Sequence, residues 1–71
     1  MNAQIVNERL RQIPFRPFAV ETVGGTWIDI DREADVLIYE RKPPVRIVLF
    51  DSHTGRLFVL EPDQIAAIES K

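Results

Sequence analysis

Apolar and polar positions along this chain change period once, from helical spacing to the twofold alternation of strands. Ala3, Val6, Leu10 and Ile13 recur at intervals of three and four, which places them on one helical face. The spacing predicts a helix over about residues 2–12. Asn2 is a suitable N-cap, because its side-chain oxygen accepts a free backbone N–H of the first turn. Pro14 disfavours the helical region for the residue before it and so marks the stop. Pro14-Phe15-Arg16-Pro17-Phe18 then reads as an extended segment, with Phe15 and Phe18 anchoring it to whatever the helix covers.

After Phe18 the pattern is that of short strands. Two of them, over about residues 18–23 and 26–30, flank Gly24-Gly25 and read as a hairpin. A strict two-residue loop would set Val20 against Asp29 and Glu21 against Ile28, mixing charge into both faces. A three-residue loop of Val23, Gly24 and Gly25 instead sets Val20 against Ile28 and Phe18 against Ile30, giving one apolar face. A one-residue slip inverts every side chain, so core formation selects the second register. A type I turn closed by a left-handed glycine supplies such a loop. Trp27 then falls on the opposite face, with Asp29 and Glu21.

Asp31 to Asp35 is a charged connection. Further strands are expected over about residues 36–41 and 45–50, separated by the breaker Lys42-Pro43-Pro44. Val45, Ile47 and Leu49 share one face of the fourth strand. Val48 and Phe50 share the other, so this strand reads as covered on both sides. Asp51-Ser52-His53-Thr54-Gly55 is a turn, and a fifth strand occupies about residues 56–60. The segment after Pro62 fits either a short helix or a 3₁₀ turn with a closing strand over about residues 65–69. The second reading is preferred, since five strands leave edges that need a partner. The expected fold is mainly β with one N-terminal α-helix, a small antiparallel five- or six-stranded barrel or roll in a single domain spanning residues 1–71.

Two likenesses follow from this order. The helix ending in Leu10-x-x-x-Pro14-Phe15-x-Pro17-Phe18, the glycine turn and the closing Ile65-x-x-Ile68-Glu69 resemble a group of small uncharacterised bacterial proteins with a Pro-Phe-x-Pro-Phe segment. The likeness covers most of the chain and implies no catalytic residue. The chain departs from that pattern at Gly24-Gly25, where Asp-Gly is usual, and at Asp31-Arg32-Glu33, where His-Pro-Glu is common. The element order is also similar to Sm-like and SH3-like barrels. Sm proteins hold single-stranded RNA through a loop asparagine and an Arg-Gly pair. Here the asparagines are Asn2 and Asn7, in the predicted helix, and Gly55-Arg56 has the reverse order. The likeness thus carries architecture without the RNA-binding signature, and fold alone does not license function.

Composition narrows the chemistry. The 71 residues include no cysteine and one histidine, which excludes disulfides and thiolate metal sites. A chain this short buries only about 60% of the surface its unfolded form exposes, so association is an expected source of further stability. The net charge of -2, from nine basic and eleven acidic residues, gives no general nucleic-acid footprint. No apolar run approaches a membrane span of about 18 residues, and no signal peptide is evident, so the cytoplasm is the expected location.

Candidate chemistry is sparse. Asp51-Ser52-His53 holds the residue types of a hydrolytic triad, yet neighbours in a turn do not converge as nucleophile, base and orienter. A metal at His53 would need partners beyond Asp51. Asp29, Asp31, Glu33 and Asp35 alternate, but no glycine supplies the sharp turn of a calcium loop. Gly24-Gly25 lacks the lysine and following helix of a phosphate loop. Pro14-x-x-Pro17 fits the minimal SH3-ligand pattern, but Phe15 and Phe18 are needed for the core. No enzyme activity and no cofactor is expected. The leading expectation is a non-enzymatic interaction module that associates with itself or with another protein, with Trp27, Val48 and Phe50 as candidate interface residues. The alternative is an Sm-like RNA-binding surface of Arg41, Lys42, Arg46 and Arg56 with Tyr39 or Phe58 nearby.

Overall fold

Alternating burial along six short strands organises the molecule. The structure, a computed structural model, describes residues 3–71. The Asn2 cap therefore lies outside the described residues, as does the side chain of Ala3. The elements are α1 (Ala3–Leu10), β1 (Phe18–Thr22), β2 (Trp27–Ile30), β3 (Val36–Tyr39), β4 (Arg46–Phe50), β5 (Leu57–Leu60) and β6 (Ile65–Ser70). Single 3₁₀ turns at Glu33–Asp35 and Pro62–Gln64 lead into β3 and β6. The radius of gyration, 11.1 Å, is that of one close-packed body of this length.

The strands form two antiparallel sheets, ordered β2-β1-β6 and β3-β4-β5. They are not closed into a barrel by strand pairing. What the two sheets share is a core between their inner faces: Phe18 and Val20 of β1, Ile28 and Ile30 of β2, Val36, Ile47, Leu49, Leu60 and Ile65, with Val6 of α1. The β1–β2 register matches the sequence argument, with Phe18 opposite Ile30 and Val20 opposite Ile28. Thr22 N–H donates to Thr26 O at 2.8 Å across the three-residue loop. Gly25 turns that loop at φ +88°, in the left-handed region that side chains disfavour.

The helix is shorter than its apolar spacing implied. It ends at Leu10, and Ile13 is 97% exposed instead of continuing the buried face. Once helical geometry stops, a three-residue interval no longer returns a side chain to the same side. Among the described helix side chains only Val6 is fully buried in the core, with Leu10 packed against it. Phe15 and Phe18 do act as anchors: their rings lie 6.0 Å apart, tilted by 59°.

The end of the chain takes the 3₁₀-then-strand course. Pro62 occupies the first position of the turn, where its missing N–H costs nothing. The Gln64 side-chain oxygen accepts the Glu61 N–H at 2.8 Å. β6 then pairs with β1, Val20 lying opposite Ile68, with a register shift at Glu21/Thr22.

Candidate functional site

The outward face of the β3-β4-β5 sheet is the feature of this surface that ordinary solvation does not account for. Strand alternation sends Val36, Ile38, Ile47, Leu49, Phe58 and Leu60 inward. It sends Leu37, Tyr39, Val48, Phe50, Leu57 and Val59 outward. The pairing arranges these in rows, with Leu37, Val48 and Val59 side by side across the three strands. Phe50 and Leu57 form the next row, and Tyr39 with Arg46 the row on the other side. Leu57 is 66% exposed, Leu37 61%, Val59 56%, Tyr39 43% and Phe50 37%. An antiparallel sheet with one face in water normally alternates apolar with polar residues. Here Val-Leu-Ile-Tyr and Leu-Phe-Val-Leu carry no charged residue on either side.

Of the candidate interface residues, Val48 and Phe50 lie together on this face. Trp27 lies on the other sheet, opposite Glu21, and is 43% exposed. Ala19, Asp29 and Glu69 share its side of that sheet, so its surroundings are largely acidic. Leu37, Leu57 and Val59 were not singled out by sequence. Their signal was the same as that of β4, an unbroken apolar run where a half-buried strand would alternate.

The basic residues do not form one cluster. Arg46 opens β4 opposite Tyr39, and Arg41 and Lys42 sit in the connection just before it. Arg56 precedes β5 at the far end of the sheet, where its backbone oxygen accepts the Asp51 N–H. Five strand residues separate those ends, about 16 Å at the usual rise. The Arg56 guanidinium lies 5.9 Å from the Phe58 ring centre, a distance that allows cation–π attraction.

The triad-like residues serve the turn between β4 and β5. Asp51 is only 3% exposed. Its Oδ1 accepts the His53 N–H at 2.8 Å and the Thr54 N–H at 3.4 Å, the side-chain turn that aspartate readily forms. Gly55 completes the turn at φ +76° and donates its N–H to Asp51 O at 2.8 Å. The Ser52 hydroxyl lies 2.8 Å from Asp31 Oδ2, and its N–H donates to Asp29 O at 3.0 Å. His53 is exposed beyond that turn.

The acidic series is likewise divided. Lys71 Nζ sits 3.1 Å from Asp31 and 3.4 Å from Asp29. The Ser52 hydrogen bond and then the Lys71 ammonium hold the Asp31 carboxyl below its ordinary value, and Asp31 correspondingly raises Lys71. Asp35 turns away to Arg32 at 3.4 Å, and its Oδ2 is buried with no hydrogen-bond partner among the described residues. No group of three or more acidic or histidine side chains converges on a metal-sized site among the described residues, and they enclose no cavity. No described helix is long and apolar enough to cross a membrane.

Comparison with protein-family models, curated proteins and solved structures finds no match to this chain.

Proposed function

We propose that this chain is a non-enzymatic protein-interaction module that docks through the outward face of β3-β4-β5. The supporting observation is the row Leu37, Val48 and Val59, flanked by Phe50, Leu57 and Tyr39, in a sheet whose other face already fills the core. Apolar surface gathered in one patch, rather than scattered singly, marks interaction sites. An aromatic residue at each end, Phe50 and Tyr39, gives the patch the residue types enriched at binding hot spots. Trp27 is a separate candidate contact on the acidic side of the other sheet.

Binding of single-stranded nucleic acid by Arg41, Lys42 and Arg46 is the second reading, favoured by the pairing of Arg46 with Tyr39. A stacking platform beside a backbone-tracking cation is the minimal form of such a surface.

A photo-crosslinking amino acid placed at Leu57, with Ala66 on the other sheet as control, tests both in the living cell. The interaction module predicts a protein adduct at position 57 that nuclease leaves unchanged and that is much weaker at position 66. Equal adducts at both positions, or none, refute it. An adduct that nuclease shortens, and that forms less when a lysate is irradiated at high salt, points to nucleic acid.

A further inference from the structure

Resting on that reading, we infer that the occupant of the face is a second copy of this chain, packed sheet on sheet about a two-fold axis that runs along β4. The first argument is area. Leu37, Tyr39, Phe50, Leu57 and Val59 together expose between two and three full side chains of apolar surface, on the order of 500 Å² in one patch. Two such faces remove about 1,000 Å² from water, and Val48 with the rim residues brings the total into the lower part of the range of specific interfaces. A single copy therefore carries the area that a small symmetric dimer requires.

The second argument is self-complementarity. A two-fold interface must match one patch with itself. Packed sheets align to within about 30°, which leaves two ways to turn the second copy over. With the axis across the strands, the row holding Arg46 would lie on the partner's row of Phe50 and Leu57, burying a guanidinium against apolar side chains. With the axis along β4, each row lies on its own equivalent. Val48 then meets Val48, and Leu37 of one copy meets Val59 of the other. The Tyr39–Arg46 row stays at the rim. Arg46, being on β4, there lies beside the Arg46 of the other copy, but both guanidinium groups and the tyrosine hydroxyl remain in water, which screens the repulsion. Since charge burial without a partner is strongly unfavourable, the second orientation is selected. It places Val48, the middle residue of the middle strand, on the symmetry axis.

The chain has no cysteine, which makes the placement directly testable. Sedimentation velocity from 5 to 500 µM, roughly the span over which an interface of this size titrates, is combined with Val48→Cys and a short bis-maleimide. Ala66→Cys, exposed on the other sheet, is the control. Expected is a reversible monomer–dimer equilibrium insensitive to salt, with efficient linkage at position 48 and little at position 66. Leu57→Glu should weaken the dimer at least tenfold with a native circular dichroism spectrum. If Leu57→Glu does not fold, the linkage at position 48, a smaller change, decides. A monomer throughout the range overturns the second-copy assignment, while the cellular adduct at position 57 separately decides the interaction-module reading. A dimer that survives a folded Leu57→Glu, or that links equally well at position 66, overturns it by showing association elsewhere.

Discussion

Replacing Asp51 tests whether the turn after β4 is held by its buried carboxylate. Asp51→Ala removes the acceptor of the His53 N–H at 2.8 Å and of the Thr54 N–H at 3.4 Å. The first is a full hydrogen bond to a carboxylate; the second is long and contributes little. A hydrogen bond to a charged group contributes about 1.5–3 kcal/mol, and a donor left unsatisfied in a part-buried turn adds to the loss. The expected cost of Asp51→Ala is therefore about 2–3 kcal/mol. Asp51→Asn keeps a neutral acceptor at the same place and should cost about half as much. A 71-residue domain has a total stability of about 4–10 kcal/mol, so the alanine variant should lose on the order of 10 °C in melting temperature. Urea denaturation followed by circular dichroism and by the fluorescence of Trp27, the single tryptophan, measures both variants. The His53 amide resonance reports the bond itself. An alanine variant within about 0.5 kcal/mol of the parent would refute the reasoning, as would an asparagine variant as unstable as alanine.

Four further outcomes are expected. Asp31 should titrate below its ordinary value, and Ser52→Ala and Lys71→Ala should each move it upward; carboxyl NMR shifts against pH check this, and no movement in Ser52→Ala would refute it. A depressed carboxyl pKa contributes stability that is present above the unfolded-state value and is lost as pH falls through the folded one. The raised Lys71 contributes below its unfolded-state value and fades as pH rises through the folded one. Both contributions are small, because the groups are exposed and screened. Gly55→Ala, at φ +76°, should cost about 1–2 kcal/mol by urea denaturation. Gly24→Ala, whose new methyl would meet only Thr22 Oγ1 at ordinary contact distance, should be within about 0.5 kcal/mol of neutral. Trp27→Ala should leave the circular dichroism spectrum native and cost less than the roughly 3–5 kcal/mol of a core tryptophan, since 43% of the side chain is already in water.

Much of the fold was legible because one face of each strand had to be apolar. That requirement alone chose the β1–β2 register, and it put Ile47 and Leu49 in the core. The helix end was less legible: apolar spacing continued to Ile13, but the chain left helical geometry after Leu10 and took Ile13 into solvent. Trp27 was read on the charged side of its hairpin and is there, opposite Glu21. Its exposure depended on where the helix packs, a long-range matter that local pattern does not carry. The candidate face was half legible. Val48 and Phe50 stood out because β4 has two apolar faces. Leu37, Leu57 and Val59 joined them only when pairing placed β3 and β5 on either side. Asp51 illustrates the converse, since its residue type suggested chemistry while its burial and hydrogen bonds give it to the turn.

The apolar character of both faces of β4 also changes how this sheet finds its alignment. In a strand with one polar face, sliding by a residue drives charges into the core and is penalised at every position. Sliding β4 by one residue would exchange Ile47 and Leu49 for Val48 and Phe50, replacing one apolar set with another of similar size. Side-chain patterning over residues 47–50 is therefore nearly degenerate between the two alignments, and within the strand only Arg46, outward opposite Tyr39, would be turned toward the core. The choice falls to Arg46 at one end and to the polar turn at the other, where Asp51 and Gly55 hold the path into β5. Loosening that turn should give a folded population divided between alignments, visible as doubled amide resonances in β4 and β5.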